Sequence, residues 1–529
     1  MTFCSIINND KTIKLVSVLL SSLLLTASFP VAFNSDNLIP EEVSAGLIWI
    51  AYVPLILALK RSTPKLSFFW AYIFGFISNG GILFWVIVAM QKYGNLSFMV
   101  SSSIMVLLLS FFALYPALSF LAIARMRGKA PSWLVAGLVF GLLDWSKNYF
   151  PFEGFPWTTP AYSLFGNLQI IQAADVIGTT GLNLVVMFSN FVLGDLIQAA
   201  AGGKKYPRIS LFIILFMIVS LLVYGKFRIK QVVATQDKSS SLRIALIQGN
   251  IEQDIKWNER ARAKILNTYH RLSLEAFREH PHLIVWPEAA SPVALHREAK
   301  SLSFLNEDFG DTSIVIGAPT YETVRGIVDY RNSAFLLDSR GRVKLRYDKQ
   351  HLVPFGEYVP FSDFLPMHYI VPPVAGNFSR GDIPTLGQVA NHPFGILICY
   401  ESLFPDLASD LVRSGAQFFV NITNDAWFDH TSGPFQHVRF GAFRAIENRR
   451  PFVRSANTGV STWFDVLGKM HQPTQLFREA IVLADIFPQQ EITFYTRYPN
   501  LVPYMAILLL FCCSLGFFHP KKKNHADAS

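Results

Sequence analysis

Glu288, Lys349 and Cys399 are three residues whose types and settings could do chemistry together. Glu288 stands directly after the apolar run Leu283-Ile-Val-Trp-Pro287. Lys349 lies in Tyr347-Asp-Lys-Gln-His-Leu-Val-Pro-Phe-Gly-Glu-Tyr358, a loop rich in aromatics and proline. Cys399 ends the run Gly395-Ile-Leu-Ile398 and opens into Tyr400-Glu401-Ser402. Singly, each has an ordinary reading: a solvated loop acid, a surface amine, a small buried thiol. Together they form a working set. A carboxylate can take the thiol proton, the thiolate can attack an acyl carbon, and an ammonium can stabilise the oxyanion. A nearby cation is also expected to depress the thiol pKa. Thr423-Asn424-Asp425 closes a further apolar run in the same manner, and such strand ends are where α/β folds place functional groups.

Other chemistries lack their residues. There is no Gly-rich phosphate loop ending in Gly-Lys-Ser/Thr, no His-Glu-x-x-His, no Cys-x-x-Cys and no Gly-x-Ser-x-Gly. The 12 histidines are scattered, and His280 and His282 around Pro281 read as a solvated turn rather than a ligand pair. No metal and no cofactor is expected. Of the 4 cysteines, Cys4, Cys512 and Cys513 lie near apolar chain ends, which leaves Cys399 without a disulfide partner in its own domain.

The elements that must position these residues fall into two kinds. The chain has 529 residues, 51% of them hydrophobic and only 16% charged, with mean hydropathy +0.33, which excludes a fully soluble protein. Apolar stretches run over Leu15–Phe33, Ser44–Leu59, Leu66–Met90, Leu96–Ala124, Pro131–Tyr149, Ile170–Ala199 and Ile209–Tyr224. Most approach the roughly 20 residues that a helix needs to cross a bilayer. Asp175 and Gly178-Thr-Thr-Gly181 interrupt the sixth, whose helix is expected to begin near Gly181. After Phe227 the texture changes to short strand-like runs at Leu242–Gln248, Leu283–Trp286, Ser313–Ile316, Gly395–Ile398, Gln417–Ile422 and Phe452–Ala456. A helix-like stretch lies at Glu259–Glu279. Strands alternating with helices argue for a layered α/β domain. The apolar run Leu501–Phe518 then returns to the membrane and precedes Lys521-Lys522-Lys523. The expected organisation is a seven-helix membrane domain (1–227), an α/β domain (242–495), a last membrane helix (501–518) and a basic tail (519–529).

The net charge of +9 (46 basic against 37 acidic residues) is an orientation signal rather than a nucleic-acid footprint. With the N-terminus in the cytoplasm, inside segments hold Lys11, Lys14, Lys60, Arg61, Lys65, Arg125, Arg127, Lys129, Lys204, Lys205, Arg208 and Lys521 to Lys523. The short outside loops hold Lys92 and Lys147. That bias places both termini in the cytoplasm and the α/β domain outside it. Read instead as a cleaved signal peptide, the first stretch would need a small-x-small cleavage site, and none stands out.

Trp286-Pro-Glu288, the Lys349 loop ending in Pro-Phe-Gly-Glu357, and Cys399-Tyr-Glu401 resemble the Glu-Lys-Cys triad of the nitrilase, or carbon–nitrogen hydrolase, superfamily. Gln248-Gly-Asn-Ile251 with Lys256-Trp257, Val285-Trp-Pro-Glu-Ala-Ala290, His351-Leu-Val-Pro-Phe-Gly-Glu357, Asn424-Asp-Ala-Trp-Phe428 and Gly154-Phe-Pro-Trp157 resemble the apolipoprotein N-acyltransferase family, over essentially the whole chain. The resemblance implies a multi-pass α-helical membrane domain joined to a nitrilase-like α-β-β-α sandwich. It implies transfer of a fatty acyl chain from a phospholipid, typically phosphatidylethanolamine, through a cysteine thioester. The acceptor is the free α-amino group of an apolipoprotein's diacylglyceryl-cysteine. On matched positions Glu288 is the general base, Lys349 the oxyanion-side cation and Cys399 the nucleophile, with Trp257, Glu357, Tyr400 and Glu401 in support. The implied setting is a bacterial inner membrane with a periplasmic catalytic domain. The apolar, proline-rich segment Phe361–Phe378 reads as a lid that admits acyl chains or as a buried cover. Two other readings compete: a membrane-tethered amidase with the same triad, and a transporter or scaffold with an outer binding module. The intact triad and the scarcity of charge within most apolar stretches speak against the second of these.

Overall fold

The eight apolar stretches become helices, but not eight alike. The structure, a computed structural model, describes residues 10–33, 36–37, 39–202, 207–235, 241–256, 258–295, 309–324, 327–360, 377–382 and 385–517. The first half comprises α1 (Asp10–Ser28), α2 (Glu41–Leu47), α3 (Val53–Leu59), α4 (Pro64–Leu83), α5 (Trp85–Lys92), α6 (Phe98–Arg125), α7 (Ser132–Ser146), α8 (Ala174–Ala201) and α9 (Arg208–Thr235). Among the described residues, α1, α4, α6, α8 and α9 are long and apolar enough to cross a membrane; α7, with 15 residues, is shorter.

The second and third stretches, each expected as one helix, are two each. The third divides at Phe84, between α4 and α5, and the second at a proline. Pro54 has no N–H to give a helix interior, so α3 starts afresh there after turn residues 48–52. Backbone groups freed in lipid need partners. Asn190 of α8 supplies them, accepting from Tyr52 N at 3.0 Å and donating to Ile48 O at 2.9 Å. In the sixth stretch a short turn, Ala174–Ile177, ends at Gly178, whose φ of 64° and ψ of 179° are non-helical and favour glycine. The long helical run starts anew at Thr179, close to the start expected near Gly181. Helix α9 runs past its expected end at Tyr224 to Thr235.

The second half holds two six-stranded sheets. The first sheet uses β1 (Leu242–Gln248), β2 (Leu283–Val285), β3 (Ser313–Val324), β4 (Ile327–Leu337) and β5 (Val343–Asp348). The second uses β6 (Leu386–Val389), β7 (His392–Ile398), β8 (Phe418–Thr423), β9 (Phe452–Ala456), β10 (Thr462–Phe464) and β11 (Met470–His471). The last strand, β12 (Ala480–Ile486), returns to the first sheet, giving orders β12-β1-β2-β3-β4-β5 and β11-β10-β9-β8-β7-β6. In each sheet the central triple is parallel (β1-β2-β3 and β7-β8-β9) and the flanking pairs are antiparallel. Inner faces pack through Ile244, Leu246, Val285, Ile396, Ile398, Val420 and Val453. Helix α10 (Arg262–Phe277) covers the first sheet, and α11 (Pro405–Arg413) with α12 (Gly433–Asn448) covers the second. The layering is α-β-β-α.

Helix α12 also joins the two halves. Of its 16 residues all but Phe435 are buried, because sheet residues pack on one face and membrane helices on the other. Its polar residues are paired accordingly: Gln436 with Trp85 and Trp157, Arg439 with Glu41, and Arg444 with Glu447. At its C-terminal end Arg449 donates to Asp175 Oδ2 at 2.8 Å, and the same oxygen accepts from Arg228 of α9 at 2.8 Å. Tyr224 completes the set through Asp175 Oδ1 at 2.7 Å. The last helix, α13 (Leu501–Ser514), packs beside α7 and α8.

Removing one member of a buried ion cluster leaves the others uncompensated, at a cost of about 3–5 kcal/mol. Asp175→Ala should therefore lower the unfolding temperature of the detergent-solubilised chain, and Asp175→Glu should lower it less. Equal unfolding temperatures for Asp175→Ala and the unsubstituted protein would show that this cluster does not hold the halves together.

Candidate active site

Three strand ends meet at one point. Glu288 follows β2, Lys349 follows β5 and Cys399 follows β7, so both sheets contribute to one polar mouth at the rim of the sandwich. Ligands of open α/β sheets sit outside the carboxyl ends of the parallel strands. The turn beyond β2 lies tight on β3: a Cβ on Gly317 would come within 2.4 Å of Pro287 O and 2.7 Å of Glu288 Cα. Cys399 itself turns the chain sharply, with φ of 51° at the start of a short 3₁₀ turn, Cys399–Leu403. Such non-glycine backbone costs on the order of 1–3 kcal/mol and persists only where surrounding contacts fix it.

Lys349, 1% exposed, has two carboxylates. Its Nζ lies 2.8 Å from Glu357 Oε2 and 3.5 Å from Glu288 Oε1. Asn332, from the middle of β4, bridges the two acids with one amide nitrogen, donating to Glu288 Oε1 and to Glu357 Oε1 at 2.7 Å each. Asn424 N donates to the other Glu288 oxygen at 2.8 Å, and Val353 N to Glu357 Oε2 at 2.8 Å. Burial alone would pull the Lys349 ammonium down, but Glu357 and Glu288 overcome it and hold its pKa above the ordinary lysine range. Lys349 is therefore a fixed cation.

The cation acts on the thiol in the expected direction but is outweighed. Burial and the Glu288 carboxylate push the Cys399 pKa up, against the lowering effect of Lys349. The resting side chain is a thiol, and its ionisation has to accompany proton transfer to a base. Lys256, a second buried lysine, donates to Glu288 O at 3.1 Å; burial brings its pKa down to about 8, with Glu288 opposing.

The expected supporting residues have distinct surroundings. Glu401 staples the cysteine turn to the lysine loop, accepting from Ile398 N and Gln350 N at 2.6 Å, His351 N at 3.2 Å and Tyr347 OH at 2.9 Å. Burial pushes its pKa up to about 7 while these donors act the other way. Tyr400 reaches into the helical half, donating to Gly154 O at 2.6 Å. Trp257 and residues 361–376 of the expected lid lie outside the described residues. Asp425, at the end of β8, is held well below the usual carboxylate range by Arg454 and His437, which outweigh its burial. Ligand atoms of Cys399, Asp425 and His437 lie within 4.8 Å of one another, a spacing a metal could use, but Arg454 Nη2 already occupies Asp425 Oδ2 at 2.7 Å.

Sequence reading did not single out Asn332, Gly317 or His437. Asn332 and Gly317 sit inside strands, and His437 sits on a helix 38 residues after the cysteine. No local motif marks them as neighbours of the triad.

A helical bundle carrying a two-sheet sandwich, with a buried acid–amine–thiol set at its rim, defines a membrane-embedded enzyme of the carbon–nitrogen hydrolase class. Residues 21–192 match the apolipoprotein N-acyltransferase N-terminal domain, and residues 243–493 match carbon-nitrogen hydrolase. The apolipoprotein N-acyltransferase of Geobacter metallireducens is 36% identical over 496 residues, covering 92% of each chain. That of Shewanella oneidensis is 32% identical, covering 83% of this chain and 86% of its own. Among solved structures, an amidase from Nesterenkonia sp. aligns with 50% of this chain and 95% of its own, at 18% identity and a TM-score of 0.37. The chain belongs to the apolipoprotein N-acyltransferase family.

Hydrogen bonds to charged groups contribute about 1.5–3 kcal/mol, which is roughly a tenfold to hundredfold effect when lost. Asn332→Ala should slow acylation of the enzyme by that factor, read in single-turnover experiments. Glu401→Gln should face an NH₂ group toward backbone donors and lower the unfolding temperature. Wild-type acylation in Asn332→Ala would mean that the two acids hold their places without the amide.

Proposed function

We propose that this protein transfers a fatty acyl chain from a membrane phospholipid, through a Cys399 thioester, to the free α-amino group of the diacylglyceryl-cysteine of an apolipoprotein. The observation that carries this reading is the position of the acid–amine–thiol set: it lies where the sandwich meets the helical half, with the residue after Cys399 bonded directly to Gly154. A water-soluble amide would need no such placement. A lipid ester does.

In the first half-reaction Glu288 takes the Cys399 proton as sulfur attacks the ester carbon. Charge developing on the carbonyl oxygen falls beside the Lys349 ammonium. The ester C–O bond then breaks, and Glu288 returns the proton to the departing lysophospholipid oxygen. In the second, the acceptor amine attacks the thioester carbon and gives its proton to Glu288. The C–S bond breaks, sulfur recovers a proton, and an amide remains. Glu357 and Asn332 keep Lys349 and Glu288 apart but aligned, and Glu401 fixes the cysteine turn against the lysine loop. Phosphatidylethanolamine is the expected donor. Residues 1–227 and 501–518 embed the chain in a bacterial inner membrane, the sandwich of 242–495 faces the periplasm, and both termini lie in the cytoplasm. The excess of Lys and Arg in the inside segments supports that orientation.

Purified protein given acyl-labelled phospholipid and a lipopeptide acceptor should move label to the amine. Label released as free fatty acid in place of amide would favour a tethered hydrolase. Glu288→Gln should slow acylation on the order of 10²–10⁴-fold, and Lys349→Met about 10²–10³-fold. Separately, a reporter after Ser529 should be cytoplasmic and one inserted within Asp237–Ser241 should lie outside. Finding both on one side would overturn the orientation.

A further inference from the structure

His437 is fully buried in α12 and takes no part in the proton transfers above. Its ring nevertheless touches the nucleophile's own backbone. Nε2 lies 3.3 Å from Cys399 O, and Ser402 Oγ donates to the same carbonyl at 3.0 Å. On the other edge Nδ1 faces Asp425 Oδ1 at 2.9 Å and Arg454 Nη2 at 3.0 Å. Burial and Arg454 push the ring toward its neutral form. With the proton on Nε2, the ring donates to Cys399 O while Nδ1 accepts from Arg454. A second proton would add a bond to Asp425 but set charge against the Arg454 guanidinium. With the proton on Nδ1 alone, the ring donates to Asp425 Oδ1 and Nε2 accepts from Ser402 Oγ at 3.3 Å. The comparison of His437→Gln with His437→Met separates the two.

The ring's face belongs to the other half of the molecule. Trp157, from Gly154-Phe-Pro-Trp157, stacks on His437 with centroids 5.5 Å apart and planes at 30°. Its indole N–H is tied to the preceding residue, Gln436 Oε1, at 2.7 Å. The same four-residue stretch takes the hydroxyl of Tyr400 on Gly154 O. One loop of the helical half thus braces Cys399 twice: through His437 onto its carbonyl, and through Tyr400 on the next residue. Cys399 needs such bracing, because its left-handed backbone is unfavourable for a residue with a side chain.

We propose that His437, held against Trp157, is a positioning residue that fixes the Cys399 carbonyl and with it the direction of the thiol. On this account the helical half sets the reactivity of the sulfur and does more than admit lipid to it. The inference rests on Cys399 being the acylated residue.

The test removes lipid access from the question. p-Nitrophenyl acetate is small and water-soluble. Its acetyl carbon bonds to Cys399 sulfur as the C–O bond to p-nitrophenolate breaks, with the thiol proton passing to Glu288. Full-length protein in detergent should release a stoichiometric burst of p-nitrophenolate and gain one acetyl group, and neither should occur in Cys399→Ala. His437→Met and His437→Gln have similar volumes and differ in the donor. The Met variant should acylate about tenfold to a hundredfold more slowly, and the Gln variant should recover much of the loss. Trp157→Leu should slow the burst, and Trp157→Phe should slow it less. Should His437→Met not fold, the Trp157 pair supplies the comparison from the other side of the contact. Folded His437→Met or Trp157→Leu with the wild-type burst rate would overturn the positioning role. A wild-type protein that gains no acetyl group on Cys399 would instead overturn the assignment of the nucleophile.

Discussion

An ammonium removed from water is tolerable only against opposite charge, and Lys349 meets that condition with Glu357 and Glu288. Each acid then needs its remaining lone pairs filled, which brings in Asn332 from β4, Asn424 N beyond β8 and Val353 N from the lysine loop. Satisfying one buried cation therefore draws both sheets to a common edge. The state of the sulfur follows from the same demand: burial and the Glu288 carboxylate beside it favour the protonated thiol of Cys399. A resting thiol is also less exposed to oxidation than a thiolate.

The second constraint is where this cluster sits. In a free-standing sandwich the outer helices would face water, yet α12 is buried on both sides and carries Gln436, Arg439, Arg444 and Glu447 into the joint. Each of these polar side chains has partners across the joint or along α12 itself. Asp175 closes the far side with two arginines, one from each half. Desolvation offsets much of what such buried pairs gain, while removing one partner leaves the other uncompensated. A joint built from them is therefore stable only in the pairing observed. The proposed transfer, from a donor in the bilayer to a nucleophile on the sandwich, needs that arrangement held.

Glu288, Lys349 and Cys399 were legible in the sequence because each sits in a short contiguous motif at the end of an apolar run. The parallel strands were legible from their mostly apolar runs, although only the first part of β3 was read. The antiparallel strands β4, β5, β6, β10, β11 and β12 were not: β4 and β5 mix charged with apolar residues, and β6, β10 and β11 are only 4, 3 and 2 residues long. Asn332 was invisible because only the sheet register aims it at the two acids. The broken second stretch needed knowledge that Asn190, 138 residues from Tyr52, satisfies the backbone there. The lowering effect of Lys349 on the Cys399 pKa was legible, but not that burial and Glu288 outweigh it. That balance depends on geometry, which spacing alone does not carry.

The most direct measurement is the intact mass of the protein after incubation with phospholipid and no acceptor. The account predicts a stable increase of one fatty acyl group that hydroxylamine removes, that an acceptor with a free α-amino group discharges, and that Cys399→Ala never shows. An adduct that persists in Cys399→Ala, or acyl transfer to the acceptor with no adduct at any time, would contradict it.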